Sequence, residues 1–114
     1  MGTNVGYVDI YLLPVRAARL DDYKRQAETF GAVAKEIGAL SYREFRADDL
    51  GESFTVGDGE VLTAAVVEFE SRAHRDDVMG KVLADPRVVA LAEGDEIADM
   101  SQMRYGGFET FVNP

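Results

Sequence analysis

The chain has 114 residues, with 12 Lys and Arg against 21 Asp and Glu, one His and no Cys. That length fits one domain over residues 1–114, and an apolar content of 46% excludes wholesale disorder. The missing cysteines exclude disulfides, thiolate nucleophiles and Cys-ligated zinc or iron–sulfur sites, the lone His74 excludes a multi-His metal site, and a net charge of −9 argues against nucleic acid or an anionic membrane as partner.

No stretch approaches the roughly 20 apolar residues of a membrane span. The opening residues show no basic segment followed by an apolar run, and Gly6 stands where a myristoylation pattern wants Ser or Thr. A cytoplasmic protein is the expectation.

Val5–Leu13 alternates, with Val8, Ile10 and Leu12 on one face and Tyr7, Asp9, Tyr11 and Leu13 on the other, which predicts a strand that Pro14 ends. Leu20, Tyr23, Ala27, Phe30, Ala34 and Ile37 then recur in steps of three and four, an apolar stripe along one helix. Asp21 and Asp22 suit its first turn, Asp21 is placed to pair with Arg25, and Gly38 stops it. Leu40–Arg46 alternates as a second strand, and Val61–Phe69 is a third with both faces nearly apolar, so both should be covered. Ser71 is an N-cap for a second helix with Val78, Met79, Val82 and Leu83 inside. Asp85-Pro86 opens a short helix over Arg87–Glu93 that Gly94 ends, and Met103–Val112 is a last strand carrying Gly106-Gly107.

The acidic excess is concentrated. Asp48, Asp49, Glu52, Asp58 and Glu60 form one base-free segment, and Glu93, Asp95, Glu96 and Asp99 another, which together match the whole net charge. Their glycines mark them as loops. Counted from Asp48, the sixth residue is Ser53 where a calcium-binding EF-hand loop needs Gly, so solvated loops are expected and no metal.

The order β-α-β-β-α-(short α)-β predicts an α+β, ferredoxin-like sandwich with helices on one face of an antiparallel sheet. The aliphatic face of the first strand is expected under the helices. The face with Tyr7, Asp9, Tyr11 and Leu13 would then be left open and buried against a second copy, giving a homodimer of roughly 2,000 Å² or more of buried surface.

Several motifs, in order, carry a resemblance: Tyr7-Val8-Asp9, Asp22-Tyr23-Lys24, Gly38-Ala39-Leu40, Ser71 with Arg75-Asp76 and Met79, Asp85-Pro86-Arg87, and Tyr105-Gly106-Gly107-Phe108-Glu109. From about Tyr7 to Phe111 the chain resembles the YbaA-like family of uncharacterised bacterial proteins, a branch of the dimeric α+β barrel superfamily. It departs from the family pattern in the acidic loop after the second strand, in Phe69-Glu70-Ser71 at the start of the second helix, and at His74. The resemblance implies a ferredoxin-like protomer and a dimer with facing sheets. It implies no activity, because the family has none established and the wider superfamily spans oxygenases, haem-degrading enzymes, isomerases and stress-related binding proteins.

Three roles follow as expectations: a small-molecule-binding or stress-related module, a cofactor-independent monooxygenase or isomerase acting on a small aromatic or carbonyl compound, and a structural dimer whose acidic loops meet another protein. The candidate ligand-binding residues are Tyr7, Asp9, Tyr11, Tyr42, Arg43, Arg104 and Tyr105. The tyrosines supply flat packing surfaces. Asp9 is expected to pair with Arg43 or Arg104, which would depress its pKa. Gly106-Gly107 is expected to form a strand-bending bulge. His74 is expected to be a helix-start residue rather than a haem ligand, and no cofactor is expected.

Overall fold

The computed structural model describes residues 4–94 and 96–114. Residues 1–3, read above for targeting signals, and Asp95 of the second acidic segment lie outside them. The elements are β1 (Tyr7–Arg16), a 3-10 turn, α1 (Leu20–Ile37), β2 (Ser41–Arg46), β3 (Glu60–Phe69), α2 (Arg72–Ala84), α3 (Pro86–Glu93), a second 3-10 turn and β4 (Arg104–Glu109). The sheet runs β2-β3-β1-β4 with every pair antiparallel, the ferredoxin-like arrangement.

Local chemistry places the helix ends as expected. Gly38, at φ 144°, takes the left-handed stop of α1 and donates to the Ala34 carbonyl at 3.1 Å. The Ser71 side chain accepts from the His74 amide at 3.1 Å, and Asp85 caps α3 ahead of Pro86 by accepting from Arg87 N–H at 2.9 Å. In the first turn of α1, Asp22, not Asp21, takes Arg25, together with Arg19 at 2.8 Å. Leu83 is 61% exposed and off the inner stripe, where Val78, Met79 and Val82 meet Val33, Ala34, Val67 and Phe69.

Pro14 does not end β1. It pairs with Leu62 inside the strand. The pairing of β1 with β4 stops at Leu12, and the Ala17 amide, three residues on, bonds β3-side Gly59, so by alternation Pro14 faces the vacated β4 side, where no ladder bond is lost. Nor is there a bulge at Gly106-Gly107, since β4 stays in unbroken register with β1 from Tyr7↔Glu109 to Leu12↔Arg104.

The larger correction concerns which face the helices cover. Tyr7, Asp9, Leu13 and Val15 of β1 and Thr63, Ala65, Val67 and Phe69 of β3 are buried, with Tyr11 half-buried beside them. The open face carries Val8, Ile10, Leu12, Leu62, Ala64 and Val66, all half-buried, flanked by exposed Phe45 and Phe108. The reason is volume. The buried positions of α1 are Gly31, Val33 and Ala34, and these small residues require large partners below, which Tyr7, Tyr11 and Tyr42 supply. A Cβ on Gly31 would sit 2.5 Å from the Tyr42 ring, so the close approach of helix and ring depends on that glycine.

Candidate functional site

Two polar clusters lie between the helices and the sheet. In the first, β1 presents Tyr7, Asp9 and Tyr11 upward, and Arg75 reaches down from the first turns of α2. Asp9 is only 3% exposed, and Arg75 Nη1 donates to its Oδ1 at 2.6 Å. The same guanidinium lies over the Tyr7 ring, 5.0 Å from its centroid, and is held from outside by Asp76 at 2.8 Å. The Tyr11 hydroxyl approaches the other Asp9 oxygen at 3.4 Å. Burial pushes the Asp9 pKa above its ordinary value, with Arg75 pulling the other way. The pairing expected from the sequence is therefore present, but with a different arginine and without the expected depression. Gly107, opposite Asp9 on β4, leaves the space that Tyr7 fills: a Cβ there would be 2.7 Å from Tyr7 Cζ.

The second cluster lines a cleft of about 610 Å³ between α1 and the β2 edge. Alternation along β2 puts Tyr42 and Glu44 on the helix side, and Tyr23 descends from the first turn of α1. Tyr23 Oη donates to Glu44 Oε1 at 2.6 Å and Tyr42 Oη donates to Oε2. Burial, together with the Glu44 carboxylate, pushes both phenol pKa values up, so both hydroxyls keep their protons at neutral pH. Thr63 lines the inner end, its hydroxyl donating to the Leu13 carbonyl at 2.9 Å. Ala27, Gly31 and Leu20 make the wall apolar, and Lys24, Lys35 and Arg46 stand at the rim.

The seven candidate ligand-binding residues divide by face and position. Tyr7, Asp9 and Tyr11 gather around Arg75, and Tyr42 belongs to the cleft. Tyr105 stacks on Tyr11 at 5.7 Å but is 72% exposed. Arg43 and Arg104 pair with Val66 and Leu12 on the opposite face, where Arg43 meets Glu68 at 3.6 Å. Neither can reach Asp9 through the sheet. His74 accepts the Glu70 amide at Nδ1 and meets Phe69 edge-on, a helix-start role.

Sequence reasoning missed Tyr23, Glu44 and Arg75 as site residues. Glu44 carried a signal: a carboxylate two residues from Tyr42, on the strand face otherwise turned toward the core. Arg75 carried none beyond its family motif, because its partner lies on another element.

Comparison with known proteins bears on the fold and the family. A curated relative, the uncharacterised protein YbaA of Escherichia coli, is 29% identical over 94% of this chain and 97% of its own length. Among solved structures, PA3566 from Pseudomonas aeruginosa superposes with a TM-score of 0.66 at 8% identity, covering 98% of this chain and 100% of that one. A dimeric ferredoxin-like protein from an uncultured marine organism gives 0.61 at 11% identity, covering 97% and 100%. Among the described residues, no helix is long and apolar enough to cross a membrane. The family profile for a protein of unknown function, DUF1428, matches residues 6–100, and the chain belongs to that family.

Proposed function

We propose that this chain is a small-molecule-binding module, of the kind used in stress-related roles, that works as a cytoplasmic homodimer built from one domain over residues 1–114. The observation that carries the binding reading is the cleft of about 610 Å³ in which Tyr23, Tyr42 and Glu44 converge beside a wall of Leu20, Ala27 and Gly31. Its size and its few convergent polar groups suit a small ligand. The homodimer reading rests on the aliphatic sheet face, Val8, Ile10, Leu12, Leu62, Ala64 and Val66, which no helix covers among the described residues. The dimeric marine neighbour has the same fold. Cytoplasmic location is carried forward from the sequence reading.

An oxygenase or isomerase without a cofactor would need a base free to take a proton. Asp9 is engaged by Arg75 and Tyr11, and Glu44 by two phenols, which favours binding over catalysis.

A fragment screen against ¹⁵N-labelled protein, using neutral, acidic and basic compounds, tests the reading. Hits should shift amides of α1 and β2 together. A screen in which no compound of any class moves those amides would remove the cleft as a binding site.

A further inference from the structure

The cleft has an unusual donor balance. A phenol or alcohol has one hydrogen to give, and a carboxylate has none and about four lone-pair positions. Tyr23 and Tyr42 both give their hydrogens to Glu44, and Thr63 gives its own to the Leu13 carbonyl. With those hydrogens committed, these side-chain polar groups at the inner end have only lone pairs left to offer a ligand. Two positions on Glu44 remain unfilled by the two phenols.

The rim has the opposite character. Lys24, Lys35 and Arg46 line it, with Glu28 as the one rim carboxylate among the described residues. Lys24 faces Glu28 at 4.0 Å, whereas among the described residues Lys35 and Arg46 have no carboxylate within ion-pair distance. Between rim and floor lie Leu20, Ala27 and the aromatic faces of Tyr23 and Tyr42.

Resting on the binding reading above, we propose that the cleft takes a small molecule with an amine at one end, an apolar or aromatic body, and a carboxylate at the other. The amine N–H groups donate to Glu44 and to the phenol oxygens around it. The charge-assisted N–H···carboxylate bond favours an ammonium over a neutral hydroxyl at that point. The body lies along the small-residue wall of α1, past Ala27 and Gly31, and the carboxylate meets Lys35, one turn further along the same helix. A ligand with an acceptor at the inner end would set lone pair against lone pair, and the buried phenols have no spare hydrogen to relieve it.

The test is a three-ligand titration of ¹⁵N-labelled protein with 4-(aminomethyl)benzoate, benzylamine and 4-methylbenzoate, followed by the same titration of Glu44→Gln. 4-(Aminomethyl)benzoate should shift α1 and β2 amides and saturate. Benzylamine, lacking the carboxylate, should bind about tenfold more weakly, and 4-methylbenzoate, lacking the donor, should not saturate over the same range. Glu44→Gln should weaken both amines about tenfold or more while leaving the melting temperature within a few degrees of wild type. The wild-type comparison decides the matter even where the variant folds poorly. If 4-methylbenzoate saturates at the cleft as readily as 4-(aminomethyl)benzoate, the donor requirement is wrong and the cleft remains a binding site. If none of the three moves those amides, the proposal is overturned, and the fragment screen then tells whether the cleft binds some other class or none.

Discussion

Asp9→Ala and Arg75→Met break the same 2.6 Å ion pair, yet they should not destabilise the protein equally. Asp9→Ala leaves a guanidinium whose side chain is 22% exposed and still touches Asp76 at 2.8 Å. Water and Asp76 take up the lost partner, so the loss should be about 2–3 kcal/mol, below the range for a fully buried pair. Arg75→Met strands a carboxylate that is almost entirely buried, with only the Tyr11 hydroxyl at 3.4 Å to help it. At neutral pH that loss should reach about 3–5 kcal/mol. The two losses also differ in pH dependence. Burial already holds the Asp9 pKa above its ordinary value, and losing Arg75 raises it further. A group raised in the folded state keeps a proton there that the unfolded chain has released. Stability therefore falls as pH rises from the unfolded pKa toward the folded one and stays low beyond it. The Arg75→Met deficit is full above the variant's folded pKa and shrinks as pH falls through it, by at most about 1.4 kcal/mol per pH unit. Asp9→Ala has no carboxyl to titrate and lacks this recovery. Urea melts at about pH 5 and about pH 7.5, at one protein concentration, measure both effects. An Asp9→Ala loss as large as that of Arg75→Met at neutral pH, or an Arg75→Met deficit that is the same at both pH values, would refute this account.

Gly107→Ala should cost about 1–3 kcal/mol in the same melts, because its Cβ drives Tyr7 out from beneath Arg75; an unchanged midpoint would mean that Tyr7 moves freely. Ser71→Ala removes the acceptor for the His74 amide and should cost about 1 kcal/mol, whereas a neutral result would show that Glu70 or water caps α2 instead. Ile10→Lys, at the centre of the open sheet face between Val66 and Gly106, should halve the mass seen by light scattering, and a dimer that persists would place the interface elsewhere.

The elements were legible in the sequence because their signals are local. The spacing of Leu20 to Ile37, Gly38 as a stop, and the Ser71 and Asp85 caps each act within a few residues, and all lie where expected. The choice of sheet face was not legible along β1 alone, since Val8/Ile10/Leu12 and Tyr7/Tyr11/Leu13 are both apolar enough to be buried. The deciding facts lay elsewhere in the chain. The small residues Ala27, Gly31 and Ala34 of α1 select the tyrosine face, and Arg75 makes burial of Asp9 tolerable. The cleft stayed hidden for a similar reason. Tyr23 fits a helix stripe and Glu44 a strand alternation, and only the crossing of α1 over β2 joins them. Pro14 misled because its effect depends on whether a neighbouring strand is present on its own side, which β4 is not.

The position of β1 in the middle of the sheet has a consequence for synthesis. Of the four strands of this sheet it is made first, yet its neighbours are β3, made after α1 and β2, and β4, the one made last. While the chain emerges at about 5–20 residues per second, Tyr7–Leu12 waits with open backbone edges until Arg104–Glu109 arrives to pair with it. Pairing of residues so far apart in sequence is slow, and an unpaired edge beside Val8, Ile10 and Leu12 is a template for the same segment of another nascent chain. The helix-side core can gather earlier around Val33, Ala34, Phe69 and Val78. The sheet closes only with β4, so chains interrupted ahead of β4 expose their most aggregation-prone edge.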